Sequence, residues 1–416
     1  MKTFSSRCRA GAFMHAENPP QILVLDGHLR HAIDIVRSLG RRGHAVDILT
    51  AKPHPPAGYS RYVRDSFLFD FCACPPDEGL RVVSALVESR GHDCVIAAGL
   101  DGTGFLAQHR EDLGQLTRLV AASPGAFSAA EDKNATMMLA ESVGVAVPKT
   151  LAPETPDELE QCAMWTYPLV VKARGGQGRF AYANSFEELR HVHRRIAKQS
   201  GSVGADTEPL PLVQEYIAGT GHGYFALCDH GRVLASFMHQ RVREVPPSGG
   251  PSSMAQSFTD PALEDAGKRV LGALEWSGVA MVEFKRETAS GRYVLIEINP
   301  KFWGSLGLAI AAGVDFPWLM VQLALNGTVE APAGFRDTAY QWLSMDIAHS
   351  IAVHRPFLWL RDVARGVPND FRLGDPGPNA ALLAQGALDV ARGRRRVNLA
   401  GPTTARPGLE GRSTTS

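Results

Sequence analysis

Two predicted strands in the second half of the chain carry acidic side chains on either side of a turn. The segment VAMVEFKRETASGRYVLIEINP contains Glu283 and Glu297, and its centre is rich in serine and glycine. Side chains alternate between the two faces of a strand, so a hairpin centred on Ser290 would place the two carboxylates opposite each other, with Asn299 on the same face. Carboxylate and amide oxygens are ligands that suit phosphate-bound Mg²⁺. The spacing therefore predicts a magnesium site.

A glycine-rich turn follows an earlier apolar strand. In VVKARGGQGRFAY the strand ends at Lys172, and Gly175, Gly176 and Gly178 follow. Glycines let backbone N–H groups approach phosphate oxygens, and a lysine adds a compact positive charge. In a P-loop the lysine follows the glycines and a helix begins there, so this segment indicates another kind of phosphate-binding turn.

Two further segments have features that suit nucleotide binding. Lys133 lies near the start of a helix predicted over AAEDKNATMMLAESVG, where the helix dipole favours phosphate. Glu215, Tyr216 and Ile217 end a strand before a glycine-rich break. Backbone groups freed at that break are expected to contact an adenine edge, because nucleotide sites combine apolar walls with a few polar contacts.

A strand with basic side chains precedes a loop made almost wholly of proline, glycine and serine. His239, Arg241 and Arg243 are predicted to share one face of this strand, and the loop PPSGGPSS at 246–253 follows. We expect such a loop to close over a charged substrate while the arginines bind its phosphate or carboxylate.

Each of these features also has a plainer interpretation. One of the two glutamates faces solvent while the other pairs with Lys285 or Lys301. Lys172 belongs to an ordinary hairpin, and Lys133 is a solvated helix lysine. The arginines lie on the surface beside a flexible loop.

Composition and missing motifs exclude several functions. The 43 basic and 43 acidic side chains cancel, so neither nucleic acid nor an anionic membrane is an expected partner. The apolar stretch 306–325 is interrupted by Asp315 and Pro317 and predicts buried helices rather than a membrane span. The glycines at 102 and 104 lack the acidic partner of a dinucleotide site. No serine hydrolase, zincin or C-x-x-C motif occurs, and the six scattered cysteines predict reduced thiols in a cytoplasmic protein.

These side chains must be positioned by several structural units. From residue 21 the pattern of strand, helix and strand predicts a parallel α/β domain, and the following region predicts α+β structure with antiparallel strands. The predicted segments are a disordered 1–20, an α/β domain at 21–125, a central lobe at 126–210, a C-terminal lobe with the metal site at 211–330, a helical extension at 331–391 and a disordered 392–416.

Taken in order, these motifs resemble the ATP-grasp superfamily. They are Lys133 in a D-K helix, Lys172 in V-V-K-A with G-G-Q-G, Q-E-Y-I at Gln214, and Glu283 followed by E-I-N-P at Glu297. The resemblance covers residues 21 to 330 and is closest to carboxylate-amine ligase-like proteins related to the carbamoyl phosphate synthase large subunit and biotin carboxylase. It implies that the two lobes form a clamp that holds ATP after the N-terminal parallel α/β domain, with the helical extension following.

The resemblance implies a role for each motif. The two lysines would contact the α- and β-phosphates, the glycine loop would cover the triphosphate, and the Glu215–Ile217 segment would hold adenine. The two glutamates and Asn299 would bind one or two Mg²⁺ ions, or Mn²⁺. His222 either contacts the ribose or is a plain loop histidine. Lys301 stands where related enzymes commonly carry an arginine that steadies the acylphosphate, and lysine lacks the bidentate fork.

The resulting expectation is an ATP- and Mg²⁺-dependent ligase. It would activate a small carboxylic acid as an acylphosphate for attack by an amine, with Arg241, Arg243 and Lys301 contacting the substrate. Two alternatives are activation of bicarbonate and a non-catalytic, ATP-binding regulatory protein. The expected partners are small-molecule carboxylates and amines, and a homo-oligomer is a candidate state of the chain.

Overall fold

The computed structural model describes residues 19–176, 180–200, 209–247 and 250–391. Within these ranges the chain forms one four-stranded parallel sheet and two antiparallel sheets of four and six strands. The predicted combination of α/β and α+β structure is confirmed. Gly178 and the two termini whose disorder was predicted lie outside the described residues, apart from Pro19 and Pro20.

The N-terminal domain is built on the parallel sheet, whose strand order is β3-β2-β1-β4. Strand β1 is buried almost throughout because helices cover both faces of such a sheet. The segment 116–123 contributes only a single bridge to this sheet, between Arg118 and Cys94. The elements are β1 Gln21–Leu25, α1 Ala32–Gly40, β2 Ala45–Thr50, β3 Val63–Leu68, α2 Pro76–Arg90, β4 Cys94–Ala97, α3 Leu100–Gln108 and α4 Arg110–Gly114, with a 3-10 turn at Pro56–Tyr59.

The helix predicted around Lys133 is in fact two helices, α5 Pro124–Glu131 and α6 Lys133–Ser142. Asp132 separates them because its carboxylate caps the second helix, accepting hydrogen bonds from the backbone N–H groups of Asn134 and Ala135 at 2.7 and 3.0 Å. Lys133 is therefore the first residue of α6.

The central lobe contains the smaller antiparallel sheet, in the order β5-β8-β6-β7. Strand β8 belongs to this sheet, so the lobe extends to Glu215 rather than ending at the predicted residue 210. The elements are β5 Thr150–Leu151, β6 Leu169–Lys172, β7 Phe180–Ala183, α7 Phe186–Gln199 and β8 Leu212–Glu215, with a 3-10 helix at Pro156–Cys162.

The C-terminal lobe contains the six-stranded sheet, in the order β13-β12-β9-β10-β11-β14. Its two faces pack into two separate cores, one shared with the N-terminal sheet and one formed with α6 and α8. The elements are β9 Gly219–Asp229, β10 Arg232–Glu244, β11 Ser252–Ser257, α8 Pro261–Ala273, β12 Gly278–Glu287, β13 Tyr293–Asn299, α9 Leu306–Ala312, α10 Phe316–Asn326, β14 Ala339–Gln341, α11 Leu343–Ala352, α12 Leu358–Ala364 and α13 Gly377–Ala391.

A helical extension was predicted after residue 330. The segment also contains a strand, because β14 completes the edge of the six-stranded sheet. It also attaches that lobe to the N-terminal domain. The buried guanidinium of Arg37 in α1 pairs with Asp375 at 2.8 Å and donates to Asn379 Oδ1 at 2.8 Å. The extension therefore spans both domains.

The apolar stretch 306–325 forms two buried helices, α9 and α10, as predicted. Among the described residues no single helix is long and apolar enough to cross a membrane. These two helices pass that test only as a pair, and they are bent by 84°.

Candidate functional site

The two predicted carboxylates are opposite each other in the six-stranded sheet. β12 and β13 are antiparallel neighbours, and Glu283 is the register partner of Glu297. Asn299 lies on the same face, since its Nδ2 donates a hydrogen bond of 3.0 Å to Glu297 Oε1. The register predicted from the hairpin is confirmed for these three residues.

Cations from two other elements balance this pair. Arg241 Nη2 on β10 lies 2.7 Å from Glu283 Oε1, and Lys133 Nζ at the start of α6 lies 3.8 Å from Glu297 Oε2. Burial raises the pKa of Glu283, and the negative charge of Glu297 raises it further. The charges of Arg241 and Lys172 act in the opposite direction and favour the ionised form of Glu283.

The plainer interpretation of the two glutamates is wrong. Lys285 does not pair with either of them, because its Nζ donates to the backbone carbonyl of Ile217 at 2.8 Å and lies 4.6 Å from the ring centroid of Tyr216. The Nζ of Lys301 has a long contact of 3.4 Å with the carbonyl of Phe302, and no ion pair joins it to a glutamate in the described ranges.

The donor set fits a magnesium ion that also binds phosphate. Mg²⁺ is usually held by one or two carboxylates together with substrate phosphates rather than by a cage of protein ligands. Glu283, Glu297 and Asn299 supply two carboxylates and one amide oxygen on one face. In the part of the chain that the structure describes, no cluster of three or more His, Cys, Asp or Glu side chains could hold a metal alone.

Lys172 ends β6 in the facing lobe. Burial lowers its pKa to about 8, while the charges of Glu297 and Glu283 act in the opposite direction. The lysine is thus near enough to the carboxylate pair for the charges of both glutamates to act on it. Lys133 Nζ donates to the carbonyl of Gly176 at 3.2 Å, which joins α6 to the glycine turn.

The glycine turn itself is open. Gly175 and Gly176 are exposed, and among the described residues no atom beyond their chain neighbours lies within 4 Å of where a Cβ would be at either position. Gly176 has a φ of +70°, a conformation that glycine adopts without strain. These features suit a turn that covers a ligand.

The three predicted adenine-contacting residues lie where the central lobe joins the C-terminal lobe. The carboxylate of Glu215 accepts a hydrogen bond from the backbone N–H of Lys149 at 2.9 Å, which fixes the end of β8. Tyr216 and Ile217 both contact Lys285, and Lys285 is two residues from Glu283 on β12. This segment therefore lies beside β12 at a position two residues, or about 7 Å, from Glu283.

Of the predicted substrate-binding arginines, only Arg241 lies in the cleft. β10 has register shifts on both sides of Arg243, so the two arginines do not share a face as predicted. The guanidinium of Arg243 is bound by Asp346 and Asp362 of the C-terminal helices, each at 2.7 Å. The role predicted for Arg243 is thereby corrected, because this side chain attaches the extension to β10.

His222 is neither a ribose ligand nor a loop residue. It lies within β9 and is only 3% exposed. Its ring packs edge-on against Phe258 and Tyr293, with centroids 5.1 and 5.4 Å away. Its neighbour in register on β12 is Phe284, which faces the core opposite the cleft, so the side chain points away from the carboxylate pair.

A cleft of about 430 Å³ brings seven of the fifteen predicted site residues together. Both the C-terminal lobe and the N-terminal domain contribute to its walls. The predicted residues that line it are Lys133, Gly176, Arg241, Glu283, Glu297, Asn299 and Lys301. Sequence reasoning did not place Arg30, Leu100, Ser305 or Met345 there, although ligands commonly bind at the carboxyl ends of parallel strands, where Arg30 and Leu100 lie.

Asp26 follows β1 and faces this region from the N-terminal domain. It is 4% exposed, and its Oδ2 accepts hydrogen bonds from the backbone N–H groups of Gly99 and Gly102 at 3.0 and 2.9 Å. A Cβ on Gly102 would lie 2.6 Å from that oxygen. This close approach explains why residue 102 is a glycine, and no dinucleotide-binding role is needed. Burial raises the pKa of Asp26 to about 6.

We expect Asp26→Asn to be more stable than the wild type at pH 7.5, by as much as about 3 kcal/mol. The folded-state pKa lies above the unfolded value, so the wild type gains stability as the pH falls through about 6 and the variant does not. Urea unfolding at pH 7.5 and 5.0 measures the free energy of unfolding of both proteins. The advantage of the variant over the wild type should be about 1 kcal/mol smaller at pH 5.0 than at pH 7.5. Equal pH dependence of the two proteins would contradict this account.

Comparisons with known proteins agree with this geometry. A family model described as "ATP-grasp in the biosynthetic pathway with Ter operon" matches residues 207–345. The structure is similar to an L-amino acid ligase from Bacillus licheniformis, with a TM-score of 0.57 and 18% identity over 75% of each chain. It is also similar to biotin carboxylase from Campylobacter jejuni, with a TM-score of 0.61 and 15% identity over 76% of this chain and 73% of that one. The chain has an ATP-grasp fold.

Relatives found by sequence match shorter parts of the chain. Acetyl-CoA carboxylase 1 of Oryza sativa subsp. japonica is 27% identical over 158 residues, which is 35% of this chain and 7% of that protein. The carbamoyl phosphate synthase large chain of Pyrococcus furiosus is 26% identical over 204 residues, or 46% of this chain and 19% of that protein. The matches thus span less than a fifth of either relative. The predicted resemblance to the ATP-grasp superfamily is confirmed.

Proposed function

We propose that this ATP-grasp protein is an ATP- and Mg²⁺-dependent ligase that activates a small carboxylic acid as an acylphosphate for attack by an amine. The observation that carries the proposal is the opposed pair Glu283 and Glu297, in one cleft with the cations of Lys133 and Arg241. Such a site combines metal ligands with positive charge for a triphosphate and a carboxylate.

Each group has a role in this proposal. Lys133 and Lys172 neutralise phosphate charge from two sides, and Arg241 orients the reacting anion. Glu283, Glu297 and Asn299 would hold Mg²⁺, which when bound neutralises charge on the phosphate oxygens. The glycine turn covers the triphosphate and excludes water. Catalysis then consists of positioning and charge stabilisation.

The proposed reaction has two steps. A carboxylate oxygen of the acid attacks the γ-phosphorus of ATP, the bond from that phosphorus to the β–γ bridging oxygen breaks, and ADP leaves with the electron pair. The amine nitrogen then attacks the acyl carbon, the bond from that carbon to the phosphate oxygen breaks, and phosphate leaves. The nitrogen loses one proton, and the products are an amide, ADP and phosphate.

Bicarbonate is the second candidate acid. It is favoured by the similarity to biotin carboxylase and to N5-carboxyaminoimidazole synthetase from Staphylococcus aureus, which has a TM-score of 0.61 and 13% identity over 82% of this chain and 88% of that one. In that case carboxyphosphate takes the place of the acylphosphate. The homo-oligomeric state and the cytoplasmic location stay predictions.

Hydroxylamine trapping tests the proposal. The protein is incubated with Mg-ATP, hydroxylamine and pools of small carboxylic acids, and ADP and acyl hydroxamate are both measured. We expect some pools to produce the two in equal amounts, because hydroxylamine attacks an acylphosphate as an amine would. ADP release that requires only bicarbonate would favour the second candidate. Absence of ADP with every acid and with bicarbonate would contradict both.

A further inference from the structure

The register of the six-stranded sheet orders the residues along the cleft. On β10, His239 precedes Arg241 by two residues and lies on the same face. On β12, Met281 precedes Glu283 in the same way, and both line the cleft with His239 and Arg241. Lys285, beside the Tyr216 segment, lies in the opposite direction. His239 and Glu283 are both register partners of Gly223 on β9, so His239 lies level with Glu283, two strands or about 10 Å across the sheet.

His239 is held in one orientation by its surroundings. It is 1% exposed, and its ring packs against Phe225 with centroids 4.6 Å apart. Its Nε2 lies 2.8 Å from Ser305 Oγ. Burial, followed by the charge of Arg241, lowers its pKa to about 3, so the ring is neutral at physiological pH.

The other ring nitrogen determines the tautomer. His239 Nδ1 is buried and has no hydrogen-bond partner within the described ranges. A proton on Nδ1 would be a buried hydrogen-bond donor without a partner, which folded proteins rarely tolerate. Without the proton, Nδ1 is only an unused acceptor, and this tautomer is the favoured one. The proton therefore belongs on Nε2, which donates to Ser305 Oγ. The Ser305 hydroxyl proton is then free to be donated to a ligand.

The cleft surroundings indicate what that ligand atom is. Ser305 lines the cleft together with Lys301 and Arg241, so an electronegative atom is favoured there. Glu283 and Glu297, which lie across the sheet from His239, already account for a phosphate-bound metal. The atom next to Ser305 therefore belongs to a part of the reacting anion that the metal does not hold.

We propose that Ser305, positioned by His239, donates a hydrogen bond to the acyl oxygen of the carboxylic acid and of its acylphosphate. This inference rests on the proposed function and adds a residue to it. Ser305 is the catalytic group because it contacts the substrate, and His239 is a positioning residue. A donor aimed at an oxygen whose charge changes during reaction lowers the barrier.

The first step run in reverse tests Ser305 without knowledge of the natural acid. Acetyl phosphate serves as the acylphosphate. A β-phosphate oxygen of ADP attacks its phosphorus, the bond from phosphorus to the acyl oxygen breaks, and acetate leaves with the electron pair while ATP forms. ATP is measured by luciferase, and the affinity for Mg-ADP is measured separately by titration.

We expect Ser305→Ala to lower the maximal rate of ATP formation by about 10²-fold with an unchanged Kd for Mg-ADP. Ser305→Thr, which keeps the hydroxyl, should recover most of the rate. Ser252→Ala is the matched control, since Ser252 lines the cleft without contacting His239. His239→Gln retains an N–H donor and should remain active, whereas His239→Phe keeps the ring packing but should behave like Ser305→Ala.

Three results would overturn this inference. Wild-type rates in Ser305→Ala would show that the hydroxyl contacts no reacting oxygen. A weakened Kd for Mg-ADP in that variant would place the hydroxyl on the nucleotide. Equal rates in His239→Gln and His239→Phe would remove the positioning role. If the wild type binds Mg-ADP but forms no ATP from acetyl phosphate, the proposed function fails together with the inference.

Discussion

A Glu283→Gln variant is expected to lose about 10²- to 10³-fold of its ATP-dependent turnover while remaining folded. Glutamine keeps the shape of the side chain and can still accept the hydrogen bond from Arg241, but it removes a charged metal ligand. It also removes one of two opposed carboxylates, so the free energy of unfolding without ligand should not fall. Initial rates over a series of Mg²⁺ concentrations measure the loss.

Glu287→Gln is the matched control for this prediction. Glu287 is four residues further along β12, at the turn, where its carboxylate lies 3.6 Å from Arg292. Its replacement should leave turnover and magnesium dependence unchanged. If Glu283→Gln retained wild-type turnover at low Mg²⁺, the assignment of the metal site to the hairpin would be wrong.

An Arg243→Met variant is expected to lose about 3–5 kcal/mol of stability. Its guanidinium pairs with Asp346 and Asp362, and the side chain of Asp346 is completely buried. Removal of the arginine leaves the buried Asp346 without its cation, where a charge is costly, while Asp362 keeps its pairs with Arg361 and Arg365. The measurement is urea unfolding followed by tryptophan fluorescence, with Arg232→Met at the exposed start of β10 as the control.

The same variant distinguishes the structural role from the role that the sequence predicted. A substrate-binding Arg243 would affect turnover and spare the unfolding midpoint. A stability loss below about 1 kcal/mol together with a large loss of turnover would therefore restore the original prediction.

The carboxylate pair was predictable because a hairpin constrains its own register. Symmetry about Ser290 pairs Glu283 with Glu297, and the structure has this pairing. Closer to the turn the register differs, since Arg286 pairs with Tyr293, and a bulge between the two regions accounts for the change. Pairing by symmetry about Ser290 gives the right result for the carboxylates because they lie on the far side of that bulge from the turn. No local sequence signal revealed the bulge.

Features that depend on distant contacts were not predictable. The side chain of Arg243 follows a bulge and meets Asp346, which is 103 residues away. The segment SSMAQS was assigned in part to a glycine-rich loop, yet it forms β11 because β10 and β14 both pair with it. The contact between His239 and Ser305 spans 66 residues. Each of these results from tertiary packing, which outweighs local propensity.

The most direct test of the central claim is thermal unfolding with ATP, with and without Mg²⁺, for the wild type, Lys172→Met and Lys149→Met. Lys149 is the control because its ammonium lies over the ring of Trp165 in the same lobe, whereas the charges of Glu283 and Glu297 act on Lys172. At 100 times Kd the ligand should stabilise the wild type by about 2.7 kcal/mol. We predict a magnesium-dependent shift in the wild type and Lys149→Met that is lost in Lys172→Met. Equal shifts in all three proteins, or none in the wild type, would contradict a nucleotide site between these lobes.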